Sequence, residues 1–190
     1  SRGLGDVYKR QLLMGLSIVI LAAGEGRRMK TDKPKPLVNL ADLPLVQYPL
    51  NTAKALKPER IVLVTGYKKD EVKKYVLENN AGDFIFCEQK ERLGTGHAVK
   101  QAAPYLPDTG KTLILYADVP LITTVSLNKL IKSAQRKKIS ILTSKITKPK
   151  SLNNSSSYFS LLILCNIPIT ISLPSISILF CLICLLYTSD

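Results

Sequence analysis

Four short apolar runs recur along the chain, each bounded by polar or turn-forming residues: SIVILA at 17–22, RIVLVT at 60–65, FIFC at 84–87 and TLILY at 112–116. Continuous runs of this length read as strands buried on both faces. Amphipathic stretches separate them. Leu45–Leu56 reads as a helix, with Leu45, Tyr48, Ala53 and Leu56 at mixed three- and four-residue spacings. Lys69–Glu78 (KDEVKKYVLE) sets Val72, Tyr75 and Val76 on one face. His97–Tyr105 forms a short helix opened by Gly94–Gly96. Thr124–Arg136 forms another, with Ser126 or Thr124 as its cap. Ile139–Leu142 opens a fifth strand. Strands alternating with helices in this way predict a Rossmann-like α/β fold, a mainly parallel sheet covered on both faces. No internal repeat is visible. Ligands of such sheets bind beyond the carboxyl ends of the strands. The loop after Ala22, the loop after Cys87 and Asp118 all fall at such ends, which predicts three polar clusters on one edge of the sheet.

Composition divides the chain further. Its 190 residues carry 27 Lys+Arg against 14 Asp+Glu, a net charge of +13. Lys150 is the last basic residue, and Ser151–Ser189 contains no Lys, Arg, Asp or Glu. The same stretch contains no Gly, Ala or Val. Val, Ala, Asp, Glu and Gly are the amino acids whose codons begin with G, so their joint absence points to a lost reading frame or a chimeric join rather than to folding. The ends agree. Asp6–Gln11 back-translates as GAT GTG TAT AAG AGA CAG, and the reverse complement, read one base later, encodes Cys184–Thr188 and begins Ser189. These are inverted copies of a transposase-based sequencing adapter. The expected organisation is therefore residues 1–13 adapter-derived and pre-start, 14–150 a partial globular domain, and 151–190 an out-of-frame tail.

On that reading the apolar run Phe159–Tyr187 is an artefact rather than a membrane anchor; Asn166, Pro168 and Pro174 also interrupt it. Cys181 and Cys184 lack the second Cys or His pair that a zinc site needs. Cys87 alone remains, which fits a reducing cytosol. The basic balance favours anionic ligands, but neither an aromatic RNA-reading motif nor a recognition helix is present, so no nucleic-acid partner is expected.

The loop after the first strand reads LAAGEGRRM, followed by KPKPL at 33–37. Its small residues and glycines let backbone N–H groups approach an anion closely. Arg28 and Lys35 add positive charge where phosphates would lie, Arg28 as a planar fork and Lys35 as a point charge. The spacing matches neither a P-loop nor G-x-G-x-x-G, because Met29 stands where a third Gly would fall. On glycine pattern alone an ordinary surface turn remains open. So does a turn-capping role for Asp118 before Pro120. His97, the only histidine, follows Gly96 at a helix start, which suits a structural role. Lys68, Lys69, Lys73 and Lys74 read as a solvated helix face.

Three ordered motifs, LAAGEGRRM…KPKPL, QKERLGTGHA at 89–98 and YADVP at 116–120, make the chain similar to the sugar-nucleotide pyrophosphorylases. Within that family it resembles the uridylyltransferase half of the bacterial bifunctional UDP-N-acetylglucosamine pyrophosphorylase / glucosamine-1-phosphate N-acetyltransferase, over roughly Leu16 to Lys150. The resemblance implies a nucleotide-diphospho-sugar transferase fold. It implies attack of N-acetylglucosamine-1-phosphate on the α-phosphorus of UTP, giving UDP-N-acetylglucosamine and pyrophosphate, in the cytoplasm, as a precursor for peptidoglycan and cell-wall biogenesis. It further implies that Leu21, Ala22, Ala23 and Gly24 hold the uridine and phosphate backbone. Arg28 would contact the leaving pyrophosphate, and Lys35 would neutralise charge at the reacting phosphorus. Gln89, Gly94 and Thr95 would read the uracil. Tyr116, Ala117 and Asp118 would line the sugar-nucleotide site, with Asp118 binding Mg²⁺.

Four departures from the family pattern stand out. Arg27 replaces a usual Thr, Ala41-Asp42-Leu43-Pro44 replaces A-G-K-P, and Ala117 replaces a Gly. Ser151-Leu152-Asn153-Asn154 appears where a G-Y-G-R-like segment is expected. The resemblance places the rest of the sugar pocket, a second metal ligand and a trimer-forming left-handed β-helix domain beyond Lys150, so the chain itself is expected to be inactive. Two other readings remain. One is a nucleotidyltransferase for another substrate, such as a molybdenum-cofactor guanylyltransferase or a different sugar-1-phosphate uridylyltransferase. The other is a membrane-anchored, non-catalytic nucleotide-binding module.

Overall fold

The runs SIVILA and TLILY pair side by side at the centre of a six-stranded sheet. The computed structural model describes residues 15–26, 29, 31–134, 139–145 and 158–165. In chain order the elements are β1 (Leu16–Ala22), a 3₁₀ turn (Lys35–Leu37), β2 (Asn39–Leu40), β3 (Leu43–Pro44), α1 (Gln47–Ala55) and β4 (Arg60–Thr65). There follow α2 (Lys69–Asn79), β5 (Phe84–Glu88), α3 (Gly94–Ala102), a second 3₁₀ turn (Ala103–Tyr105), β6 (Lys111–Tyr116), α4 (Thr124–Ser133), β7 (Ile139–Lys145) and β8 (Tyr158–Cys165). The large sheet runs β5-β4-β1-β6-β8-β7, and β2 and β3 form a separate hairpin. β1 is parallel to both β4 and β6, and β4 is parallel to β5.

The strand residues alternate between two cores, as the period of two requires. Ile18, Ile20, Leu63, Leu113 and Leu115 pack with Val46 and Leu50 of α1, Val72 and Val76 of α2, and Leu127 and Ile131 of α4. Val19, Val62, Val64 and Ile114 face the other way, against Ala98, Val99 and Ala102 of α3. Burial on both faces explains why these strands are apolar runs rather than alternating patterns. A polar clamp closes the gap between α1 and the end of α2. The buried Gln47 and Asn80 amides bond reciprocally at 2.8 and 3.1 Å, while Tyr75 donates to Gln47 at 3.1 Å and Lys54 to Asn80 at 2.9 Å.

Several sequence expectations are corrected. The cap of α4 is neither Ser126 nor Thr124 but Thr123, whose hydroxyl accepts from the Ser126 N–H at 3.2 Å. The α3 helix starts at Gly94 rather than His97, and its last turn tightens into the 3₁₀ turn at Ala103–Tyr105. The lysines around α2 are more engaged than a solvated face. Lys68 donates to the Asp32 carbonyl at 2.6 Å, Lys69 pairs with Glu88 at 2.7 Å, and Lys73 lies 5.6 Å from the Phe86 ring centre. Lys74 alone makes only a loose 3.9 Å pair, with Glu78.

The sheet is not wholly parallel. Residues 158–165, inside the apolar run read as a tail, form β8, which lies antiparallel between β6 and β7. The remainder of that run, from 166 onward, lies outside the described residues. Among the described residues no helix is long and apolar enough to cross a membrane.

Candidate active site

Four strand ends are tied in two pairs past the last regular pairing, β6 to β1 and β5 to β4. The Ala117 N–H donates to the Leu21 carbonyl at 3.0 Å, and the Gln89 N–H to the Thr65 carbonyl at 2.8 Å. Parallel strands that stop in register leave a crevice there, and the chain fills its rim with loops. The result is a cavity of about 300 Å³. Leu21, Ala22, Ala23, Gly24, Lys35, Gln89, Gly94, Thr95, Tyr116, Ala117 and Asp118 all line it, so the three sequence motifs converge on one place. Arg28 lies outside the described residues. Glu25, Pro36, Arg92 and Ala98 complete the wall and were not singled out from sequence. Arg92 had a signal, a basic residue in the loop after β5, but nothing local showed that it turns inward.

Lys35 is the cation at the centre. The 3₁₀ turn that carries it starts after Pro34, which has φ −62° and ψ 143°, and Pro36 is buried beneath it. Paired prolines fix the backbone on either side of the lysine. Its Nζ lies 2.5 Å from Asp118 Oδ2, a contact across 83 residues of sequence. Gly26 lets the lysine stem pass. It has φ +74°, and a Cβ there would sit 2.9 Å from Lys35 Cβ. Gly26→Ala therefore strains the loop twice, once in its dihedral and once by displacing the lysine. We expect it to cost about 1–2 kcal/mol of stability, which urea unfolding measures.

Gln89 is held from several directions. Its side chain is buried, and Nε2 donates to the Gly94 carbonyl at 3.0 Å and lies 3.3 Å from His97 Nδ1. The far nitrogen of His97 lies 2.9 Å from Gln101 Nε2. His97 thus orients an amide on the cavity wall, in keeping with a structural role. Gly94 has φ +87° and opens α3, whose N-terminal turn borders the cavity. Beside it, the hydrogen bond to Glu88 and then the Glu88 charge raise the pKa of Lys69. Burial pushes the Cys87 thiol up to about 11.

The donor set bears on a divalent cation. Among the described residues no group of three or more His, Cys, Asp and Glu is placed to hold a metal. Magnesium needs no such cage, since one or two carboxylates with phosphate oxygens and water suffice. Asp118 supplies one carboxylate beside a cavity large enough for phosphates, which fits that pattern.

The family profile described as the MobA-like NTP transferase domain matches residues 18–152, and the chain belongs to that family. Among curated proteins it is 41% identical to the bifunctional protein GlmU of Idiomarina loihiensis over 136 residues, 72% of this chain and 29% of that protein. It is 44% identical to GlmU of Francisella tularensis subsp. novicida over 139 residues, 73% of this chain and 30% of that protein. The chain thus spans about a third or less of the length of these relatives. Solved structures share the fold. The inositol-1-phosphate CTP transferase of T. maritima aligns with a TM-score of 0.64 at 20% identity, covering 79% of this chain and 70% of that one. HddC of Yersinia pseudotuberculosis aligns with a TM-score of 0.60 at 24% identity, covering 79% and 73%.

Proposed function

We propose that the chain is the uridylyltransferase region of a UDP-N-acetylglucosamine pyrophosphorylase. The whole protein would join UTP to N-acetylglucosamine-1-phosphate, forming UDP-N-acetylglucosamine with loss of pyrophosphate. The observation that carries this reading is the convergence of the three motifs on one cavity. The GlmU relatives at 41–44% identity favour it over a guanylyltransferase or another sugar specificity.

In the reaction a sugar-phosphate oxygen forms a bond to the α-phosphorus, and the bond to the β-phosphate bridging oxygen breaks. Catalysis of such transfers rests on positioning and charge rather than on a strong base. The backbone of Leu21–Gly24 approaches the nucleotide closely because Ala22, Ala23 and Gly24 are small. The Gln89 amide reads the uracil edge, held in register by Gly94 and His97. Lys35 places its ammonium at the reacting phosphorus, and Arg28 meets the leaving pyrophosphate. Tyr116 and Ala117 border the sugar side. Asp118 would hold Mg²⁺, which when bound neutralises phosphate charge. In this reading the chain carries the nucleotide half of the site and binds UTP. The whole protein is a cytoplasmic homotrimer in this reading.

Equilibrium titration of the chain with UTP, CTP, GTP and ATP tests it. UTP should bind tightest. Gln89→Ala should lower UTP affinity about tenfold, the cost of one buried hydrogen-bonding group left unmatched, and flatten the preference. A GTP preference in the parent chain would move it to the guanylyltransferases.

A further inference from the structure

Among the described residues the cavity wall carries two basic and two acidic side chains, and they pair: Lys35 with Asp118, and Arg92 with Glu25. The two pairs differ in kind. In the proposed reaction Lys35 and Asp118 each gain a partner, a phosphate for one and a cation for the other. No such division accounts for Glu25. It sits between Gly24 and Gly26, on the loop whose backbone would approach the phosphates, and a carboxylate there repels them. Arg92 reaches from the loop after β5 to cover that charge, its Nη1 donating to Glu25 Oε2. The same guanidinium lies 5.8 Å from the ring centre of Tyr67, in the turn after β4. Arg92 therefore spans three loops at the cavity rim. Its side chain is 47% exposed, so it can swing without disturbing either core. A guanidinium fork also bonds phosphate oxygens in the planar, two-pronged way it bonds carboxylates.

We propose that Arg92 is a reserve phosphate-binding cation restrained by Glu25. Phosphate oxygens entering the cavity compete with the Glu25 carboxylate for the guanidinium, and Glu25 thereby limits how tightly the chain holds a polyphosphate. This rests on the reading of the cavity as a phosphate site, and it commits to a sign. If the pair were only a strap holding two loops together, removing either member would weaken binding. If Glu25 restrains Arg92, removing Glu25 strengthens it.

The test is calorimetric titration of the full chain with inorganic pyrophosphate, and separately with UTP, across a range of salt. Glu25→Gln should tighten pyrophosphate binding about 2–5-fold, in the range of a partly exposed ion pair, and Arg92→Gln should weaken it by a similar factor. The salt dependence should be steeper for Glu25→Gln than for the parent, because the cavity then carries excess positive charge. Glu25→Ala gives the same sign by the same argument, and thermal unfolding checks that each variant is folded. Unchanged or weaker pyrophosphate binding in folded Glu25→Gln overturns the proposal, as does full affinity in Arg92→Gln. The two readings fail separately. Pyrophosphate binding with the expected signs but no preference for UTP removes the uridylyltransferase reading and leaves this inference standing. A parent chain that binds neither ligand removes both.

Discussion

Replacing Lys35 with alanine is expected to weaken UTP binding by roughly 10–100-fold, the loss of a charge-assisted contact to a phosphate. Two effects add. The ammonium disappears, and Asp118, which it neutralises at 2.5 Å, is left facing an anionic ligand. Asp118→Asn separates them. That variant keeps Lys35 but removes the carboxylate proposed for magnesium, so adding magnesium should tighten UTP binding in the parent and have little effect in Asp118→Asn. Calorimetry with and without magnesium measures both. A Lys35→Ala chain that binds UTP within twofold of the parent removes Lys35 from the site. Equal magnesium dependence in Asp118→Asn removes the metal assignment.

The second large effect is on stability. Ile20 is fully buried on β1, the strand between β4 and β6, and packs against helices of one face. Ile20→Ala should cost about 2–5 kcal/mol, because a strand flanked by paired neighbours cannot collapse into the space left behind. Solvent unfolding gives the value. A loss below about 1 kcal/mol would show that the site relaxes after all. Nucleotide binding at low temperature should survive in the folded fraction, since Ile20 points into the core while Leu21 and Ala22 line the cavity.

Local chemistry made most of the fold legible. The run RIVLVT is β4 from end to end, and the other runs differ from their strands by a residue or so at an end. Burial on both faces is written into the residues themselves, which explains the agreement. The starts of helices were harder. For α4 the cap is one residue upstream of the pair considered, because several hydroxyl residues stand in a row and only the turn geometry chooses among them. The β2–β3 hairpin carries no strong signal, since its turn holds Ala41 at φ 53° where glycine is the usual choice. β8 was missed because the stretch from 151 onward, lacking Gly, Ala, Val, Asp and Glu together, was read as an out-of-frame tail with no place in the sheet. The cavity wall divides the same way. Glu25 and Arg92 stand inside the quoted motifs yet were not singled out, because they meet across 67 residues and only the folded arrangement shows it.

The position of β8 has a consequence for how the molecule is made. Every residue lining the cavity lies between Leu21 and Asp118, so its walls emerge from the ribosome well before β7 or β8. β7 then appears with no strand beside it, because its sheet neighbour is the later β8. Throughout that interval the nascent chain shows the unpaired backbone of β6 along an apolar edge, open to any other extended segment.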